Sequence, residues 1–271
     1  MTTPKRTETW KSAPALREEA LRLCQRAAER GVPLRITGSL AVLIHCPAHA
    51  NLLESLGRRP VRDVDLMAYL RDQRKIESLF TEEGWVLDPV IRLGQEWGIK
   101  RLIYVSRDGA FKVDVFLDQL VMSHTVDLRR RLELDNPTLS PVDLLLSKLQ
   151  IHAITQNDVL DIIVLLAEHE LGDGLADTIE RARLLRVLSD DWGFWYTAGA
   201  NLDRVLAALD AYAGLPPDVA SVVRTRIGRI REAMDAEPKS RRWLLRSAVG
   251  TRLAWYQDVD EVERGEGSEP A

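Results

Sequence analysis

The sequence predicts an α+β protein, and three observations carry that expectation. Trp85-Val86-Leu87, Arg101 to Val105 and Phe111 to Leu117 concentrate apolar, aromatic and β-branched residues into short runs. Ahead of them, Pro14 to Arg30 sets Leu16, Ala20, Leu23, Cys24 and Ala27 on one helical face, with arginines and glutamates on the other. After Leu120 the β signal ends, and the remainder reads as helices.

Each element has a local reason. Gly31 and Pro33 stop the first helix, and Leu34-Arg35-Ile36-Thr37 reads as a short strand broken by Gly38-Ser39. Leu40 to Cys46 is a short apolar helix that Pro47 ends, and Pro47 to Pro60 is a loop or short helix. Asp63-Val64-Asp65 and the apolar run after them, to Leu70, read as the entrance of a buried strand. Asp72 to Glu83 is an amphipathic helix with Ile76, Leu79 and Phe80 inward and Gly84 at its end. Ser106-Arg107-Asp108-Gly109 is a hairpin turn between two of the β runs. Ser140, Pro141 and Asp143 mark a helix start, and Asn157 serves as the cap of the next helix. Further helices are expected over Ala176 to Leu188, Asn201 to Ala213, Pro217 to Ala236, and Arg241 to about Val259. Glu261 to Ala271 is a polar, disordered tail. The tryptophans and tyrosines of the last third, Trp192, Trp195, Tyr196, Trp243 and Trp255, read as packing between helices.

At 271 residues, 45% hydrophobic and 29% charged, the chain is expected to be an ordinary soluble protein of two modest domains or one large one. No apolar run approaches the roughly 20 residues of a membrane span, and no apolar segment follows Met1 to Arg6 as in a secretory leader. With Cys24 and Cys46 as its two cysteines the chain has no disulfide framework, which suits a reducing cytoplasm. A net charge of −4 exerts no global pull on nucleic acid. The basic runs Arg129-Arg130-Arg131 and Lys239-Ser240-Arg241-Arg242 read as solvated helix faces.

The chemistry gathers around Arg59-Pro60-Val61-Arg62-Asp63-Val64-Asp65-Leu66. Residues i and i+2 of a strand share a face, so Asp63 and Asp65 can aim at one point. Carboxylates that close repel unless a cation lies between them, and hard oxygen donors favour Mg²⁺ or Mn²⁺. Asp-x-Asp also marks turns and solvated strand ends, so the rest of the chain has to supply context. Gly38-Ser39 between a strand and a helix is a phosphate-binding device, since glycine admits an anion to the backbone and a helix start offers free N–H groups. Asp114 is a lone acid in an apolar strand, which is either a solvent-facing residue or one that needs an ion or partner. Lys148 sits in an apolar helix, where it either snorkels or serves a site. Asp158 and Asp161 lie one helical turn apart. His45 and His49 have the spacing of a helical zinc pair, but Pro47 separates them, and Cys46 reads as a packed thiol.

In order and spacing, Thr37-Gly38-Ser39-Leu40-Ala41, Arg59 to Leu66, Lys112-Val113-Asp114-Val115, the Leu139 to Lys148 helix and Asp158-Val159-Leu160-Asp161 resemble the nucleotidyltransferase superfamily with the DNA-polymerase-β-like fold. The likeness is closest to the AbiEii branch, which includes toxins of toxin–antitoxin systems, and spans about Leu34 to Leu166. It implies a mixed β-sheet flanked by helices over residues 1–125 and an all-α C-terminal domain over 138–262, followed by a disordered tail at 263–271. It further implies Mg²⁺ (or Mn²⁺) bound by Asp63, Asp65 and Asp114, with Asp114 also helping to deprotonate an acceptor hydroxyl. Gly38, Ser39, Arg59 and Lys148 would contact the nucleotide, and Asp158 would assist at the acceptor or orient Lys148. The implied reaction moves NMP from an NTP to a hydroxyl, in the AbiEii case a tRNA 3′ end, with a cognate antitoxin as partner. Transfer to a small molecule such as an antibiotic, or a non-catalytic nucleotide-binding or antitoxin-like module, are the alternatives. Two residues depart from the family pattern. Ser39 stands where a second glycine is frequent, and Val61 stands where a threonine or serine is common, which removes one hydroxyl near the metal site.

Overall fold

The computed structural model describes residues 13–88, 101–109, 111–174 and 177–257. Helix α1 (Ala13–Ala28) leads into β1 (Arg35–Thr37), which passes directly into α2 (Gly38–His45). A short α3 (Ala50–Ser55) precedes β2 (Val64–Ala68), then come α4 (Gln73–Glu82), β3 (Val86–Leu87), β4 (Arg101–Val105) and β5 (Lys112–Leu117). A small hairpin, β6 (Gln119–Val121) and β7 (Thr125–Asp127), follows, so the β structure runs past Leu120 where the apolar alternation stops. Then come α5 (Pro141–Leu149), α6 (Gln156–Glu168), the two-residue strands β8 (Leu171–Gly172) and β9 (Ile179–Glu180), and four helices. These are α7 (Arg181–Asp190), α8 (Trp192–Ala211), α9 (Pro217–Ala236) and α10 (Arg241–Val249).

The main sheet has five strands in the order β1-β2-β5-β4-β3. Only the central β2–β5 pair is parallel; the other three pairings are antiparallel. The fold is therefore α+β with a mixed sheet flanked by helices, as the sequence and its resemblance lead one to expect. β2 and β5 are apolar on both faces because helices cover both, and Val64, Leu66, Met67, Val113, Val115 and Leu117 are buried. Asp65 and Asp114 interrupt these runs.

A single apolar core continues from the sheet into α5, α6, α8 and α9. The chain returns to the sheet before α5. Ile36 N–H donates to Pro137 O at 2.9 Å, and Leu139 N–H donates to Ile36 O at 3.0 Å. This return lays α5 and α6 against α2. The start of α2, the ends of β2 and β5, and the polar side of α5 and α6 thus meet in one place.

Several boundaries differ from the expectation for physical reasons. Thr155, not Asn157, caps α6: its hydroxyl accepts from Asp158 N–H while the Asp158 carboxylate accepts from Thr155 N–H, a reciprocal capping box. Asn157 Oδ1 instead accepts from Arg59 N–H at 3.1 Å. α8 begins at Trp192, where Asp191 Oδ1 accepts from Phe194 N–H, so Trp192 and Trp195 lie within a helix. The expected helix over Ala176 to Leu188 is shifted to Arg181–Asp190. α10 ends at Val249 because Gly250 turns the chain with a φ of +61°. The tail expected from Glu261 lies outside the described residues. Arg129 to Arg131 occupy a turn, not a helix face, and Arg131 is drawn inward to Asp143 (2.6 Å) and Glu180 (2.8 Å). The late aromatics pack on one another, Trp195 edge-on to Trp243 and Trp192 stacked on Tyr196.

Candidate active site

Strand register builds the acidic half of the site. Asp65 is the Cα partner of Asp114 across the parallel pair and of Thr37 across the antiparallel pair. Direct partners point to the same face, so Thr37, Asp65 and Asp114 form a row across three strands. Asp63 stands just before β2, and one ligand-capable oxygen from each of Asp63, Asp65 and Asp114 lies within 4.8 Å of the others. Asp63 is the least buried of the three, Asp65 is half-buried and Asp114 is 2% exposed.

The environment of Asp65 penalises its charge. Burial pushes the Asp65 carboxyl up to about 8, with the charges of Asp63 and Asp114 adding to the shift and Lys148 and Arg101 opposing it. Asp114 is supported from its own sheet: its Oδ2 accepts from Arg101 at 2.5 Å and from Lys112 at 3.1 Å. Its Oδ1 is buried with no hydrogen-bond partner, as is Thr37 Oγ1 in the same row. An all-oxygen donor set and an orphaned buried carboxylate oxygen together suit a hard divalent cation such as Mg²⁺.

Gly38 joins this half to the next. Its φ is +65°, and a Cβ there would collide with the Asp65 Oδ2. The absence of a side chain lets the first turn of α2 ride directly over Asp65. Thr37, the N-cap of α2, makes no side-chain cap hydrogen bond, so the helix start keeps its N–H groups for an anion. Gly38→Ala is expected to cost at least about 1–2 kcal/mol from the left-handed backbone alone. It should also displace Asp65, lowering Mg²⁺ affinity in isothermal titration by more than its effect on urea unfolding implies.

The second half of the site is a buried ionic group. Lys148 on α5 is 6% exposed. Its Nζ donates to Asp158 Oδ1 at 2.7 Å and to Ser39 Oγ at 3.3 Å, and pairs with Asp161 Oδ2 at 2.9 Å. Burial alone would lower its pKa, but the Asp161 and Asp158 carboxylates outweigh it and hold the ammonium above the usual lysine range. Burial likewise disfavours the Asp158 charge, and Lys148 and Thr155 overcome it, keeping that carboxyl below its usual range. Asp158 has both oxygens committed, Oδ1 to Lys148 and Oδ2 to Thr155.

Of the residues expected from the sequence, Gly38, Ser39, Asp63, Asp65, Asp114, Lys148 and Asp158 come together. Arg59 is exposed, and what the structure records for it are backbone bonds: its N–H to Asn157, and its carbonyl receiving Arg58. Its neighbour Arg58 turns inward instead and donates from Nε to Asp161 Oδ1 at 2.7 Å. Arg58, Asp161, Arg101 and Lys112 are the site's unassigned members. The burial of Asp161 creates a need for a cation, and spacing along the chain does not say which of the two adjacent arginines supplies it. Val61 is buried, so the missing hydroxyl is replaced by packing.

His45 and His49 do not share an ion. His49 Nδ1 lies 2.8 Å from Glu168. His45, His169 and Asp177 do offer ligand-capable atoms within 4.8 Å of one another. Hydrogen bonds already occupy both rings: His45 Nε2 lies 2.6 Å from Thr138 Oγ1 and 3.1 Å from Leu139 O, and His169 Nδ1 lies 3.2 Å from Asp177 O. Cys46 is fully buried, and burial raises its thiol well above the usual range. Two open hollows of about 510 and 470 Å³ lie away from the carboxylates, one beside Arg35 and Arg71 and the other beside Glu83 and Trp85.

No family model matches the chain, and no curated protein matches it. Among solved structures it is similar to an antigenic nucleotidyltransferase-like protein from Paracoccidioides brasiliensis, with 16% identity and a TM-score of 0.37, over 84% of this chain and 96% of that one. Among the described residues no helix is long and apolar enough to cross a membrane.

Proposed function

We propose that this chain is a Mg²⁺-dependent nucleotidyltransferase that moves NMP from an NTP to an acceptor hydroxyl. The observation that carries the reading is the convergence of Asp63, Asp65 and Asp114 beneath the start of α2. These three carboxylates would hold the metal. When bound there, Mg²⁺ supplies a lowered pKa for an acceptor hydroxyl and neutralises charge on the α-phosphate. The N–H groups at Gly38 and Ser39 would receive phosphate oxygens, and Lys148 would balance triphosphate charge from the helical side. Asp114, with Oδ2 held by Arg101 and Lys112, would offer Oδ1 to the metal and help to deprotonate the acceptor hydroxyl there. The acceptor oxygen bonds to the α-phosphorus, the bond to the β-phosphate breaks, and pyrophosphate leaves. With both oxygens engaged, Asp158 orients Lys148 and does not act on the acceptor.

On this reading residues 1–125 form the catalytic domain, and 138–262 a helical domain that closes over the nucleotide. The acceptor we favour is an RNA 3′ end, such as that of tRNA in the AbiEii branch, with an antitoxin as regulator in a cytoplasmic setting. Part-exposed Arg101 and Lys112 pair with Asp114, and exposed Arg62 precedes Asp63 in the chain; this positive charge beside the acids supports a polyanionic acceptor over a cationic small molecule.

Incubating the protein with each labelled NTP, Mg²⁺ and total RNA is expected to label RNA 3′ ends, and Asp63→Ala to remove the label. Label on a small product instead would favour the antibiotic-type reading. NTP·Mg²⁺ binding without pyrophosphate release on any acceptor would favour the non-catalytic module. Labelling that survives Asp63→Ala would sink the site.

A further inference from the structure

Asp161 is completely buried, and its two oxygens are divided among three donors. Oδ1 takes Arg58 Nε at 2.7 Å; Oδ2 takes Ser39 Oγ at 2.8 Å and Lys148 Nζ at 2.9 Å. A carboxylate only accepts, and a serine hydroxyl has one hydrogen. The Ser39 proton is therefore spent on Asp161, and Lys148 donates to a Ser39 lone pair at 3.3 Å. Ser39 is left with no hydrogen to donate to an anion at the start of α2.

The charges balance only with Arg58 counted. Lys148 and Arg58 supply two cations against Asp158 and Asp161. Arg58 has 4% of its side chain exposed, and its remaining terminal amine is buried without a hydrogen-bond partner. A guanidinium held so poorly satisfied persists because Asp161 requires it.

We propose that Arg58 and Asp161 are a positioning pair: Arg58 neutralises one oxygen of Asp161, so that the other can hold Ser39 and Lys148 together at the start of α2. Lys148 is thereby kept charged and in place; to meet a polyphosphate it would give up its long 3.3 Å contact with Ser39, so that the backbone N–H groups and that one ammonium hydrogen, not the Ser39 hydroxyl, bind the phosphate. The phosphate part of this inference rests on the nucleotidyltransferase reading; the fixing of Lys148 does not.

The charged groups around Lys148 are Asp158 and Asp161 from α6, Arg58 from the segment before β2, and Asp65 on β2. Two measurements on the full chain separate the two parts. The first is the pH titration of the Lys148 side chain by NMR of labelled lysine, assigned with Lys148→Arg. Asp161→Asn removes an anion and is expected to bring the Lys148 midpoint down by about one pH unit or more. Arg58→Met removes a cation and should leave that midpoint at or above its wild-type value. The second is calorimetric binding of inorganic tripolyphosphate with Mg²⁺. It should weaken about tenfold or more in both variants, on the scale of outer-shell partners, with Arg58→Lys recovering part of the loss. Loosened packing alone would lower the Lys148 midpoint in both variants, and that result, or no change in Asp161→Asn, would overturn the proposal. If the wild-type chain binds no tripolyphosphate while the Lys148 shifts appear as stated, the nucleotide reading fails and the positioning of Lys148 stands.

Discussion

Asp65→Asn is expected to abolish the proposed nucleotide transfer and yet make the metal-free protein more stable at alkaline pH. On that reading it removes a metal ligand at the reacting phosphate, worth several kcal/mol of charge stabilisation. A fall of about a thousandfold or more corresponds to about 4 kcal/mol. The stability effect has the opposite sign. In the fold the Asp65 carboxyl is held up at about 8, first by burial and then by Asp63 and Asp114, against 3.8 for an ordinary aspartate. A carboxyl with a raised pKa binds its proton more tightly in the folded chain. Its contribution to stability is full below pH 3.8, declines as pH rises, and is lost once pH has passed about 8. Asparagine carries no charge to penalise. The variant should match the wild type near pH 4 and exceed it in Tm at pH 8 and above, measured with chelator present. Adding Mg²⁺ should raise the Tm of the wild type by mass action and leave the variant unmoved. A variant less stable than wild type at alkaline pH in chelator would contradict the placement of Asp65 under Gly38.

Lys148→Met is expected to be the costliest single change on the helical side. It strands Asp158 and Asp161 in the interior, leaving Arg58 to pair with Asp161 and nothing charged for Asp158. Removing one partner of a buried ionic group costs about 3–5 kcal/mol. The measurement is urea unfolding of Lys148→Met, Asp161→Asn and the double variant as a thermodynamic cycle. The double variant should be more stable than the sum of the single losses predicts, because the second substitution removes one of the charges the first has stranded. NTP binding should not return with that stability. Strict additivity would mean that the two side chains do not share the 2.9 Å ion pair seen in the structure.

How much of this was readable from the sequence depended on whether the information was local. Asp63 and Asp65 were readable because alternation along a strand is a two-residue property, although Asp63 proves to stand one residue before β2. Gly38-Ser39 was readable as punctuation between strand and helix. Asp114 could be read only as an acid out of place. That it faces Asp65 follows from the parallel pairing of β2 with β5, two strands separated by α4, β3 and β4. Lys148 could be read as snorkelling or functional, and its burial between Asp158 and Asp161 depends on the return of Pro137–Leu139 to β1. Arg58 and Arg59 illustrate the limit most plainly. They are consecutive in a segment without periodicity, so no rule of spacing says which one turns inward. The same holds for Thr155 and Asn157, both good caps, where the tertiary bond from Arg59 N–H to Asn157 settles the choice.

The pairing of Asp65 with Asp114 fixes the calibre of the proposed metal site in the main chain. Neighbouring strands are held about 4.8 Å apart by the ladder, so the opening between these carboxylates is a property of the sheet and not of any side chain. Glutamate at either position would lengthen one arm and carry its oxygens past the point where all three converge. The groups proposed to meet the nucleotide, by contrast, stand on helices, at the start of α2 and at Lys148 on α5. The proposed chemistry is therefore seated where the fold is hardest to remodel, and the groups proposed to meet its substrate where remodelling is easier.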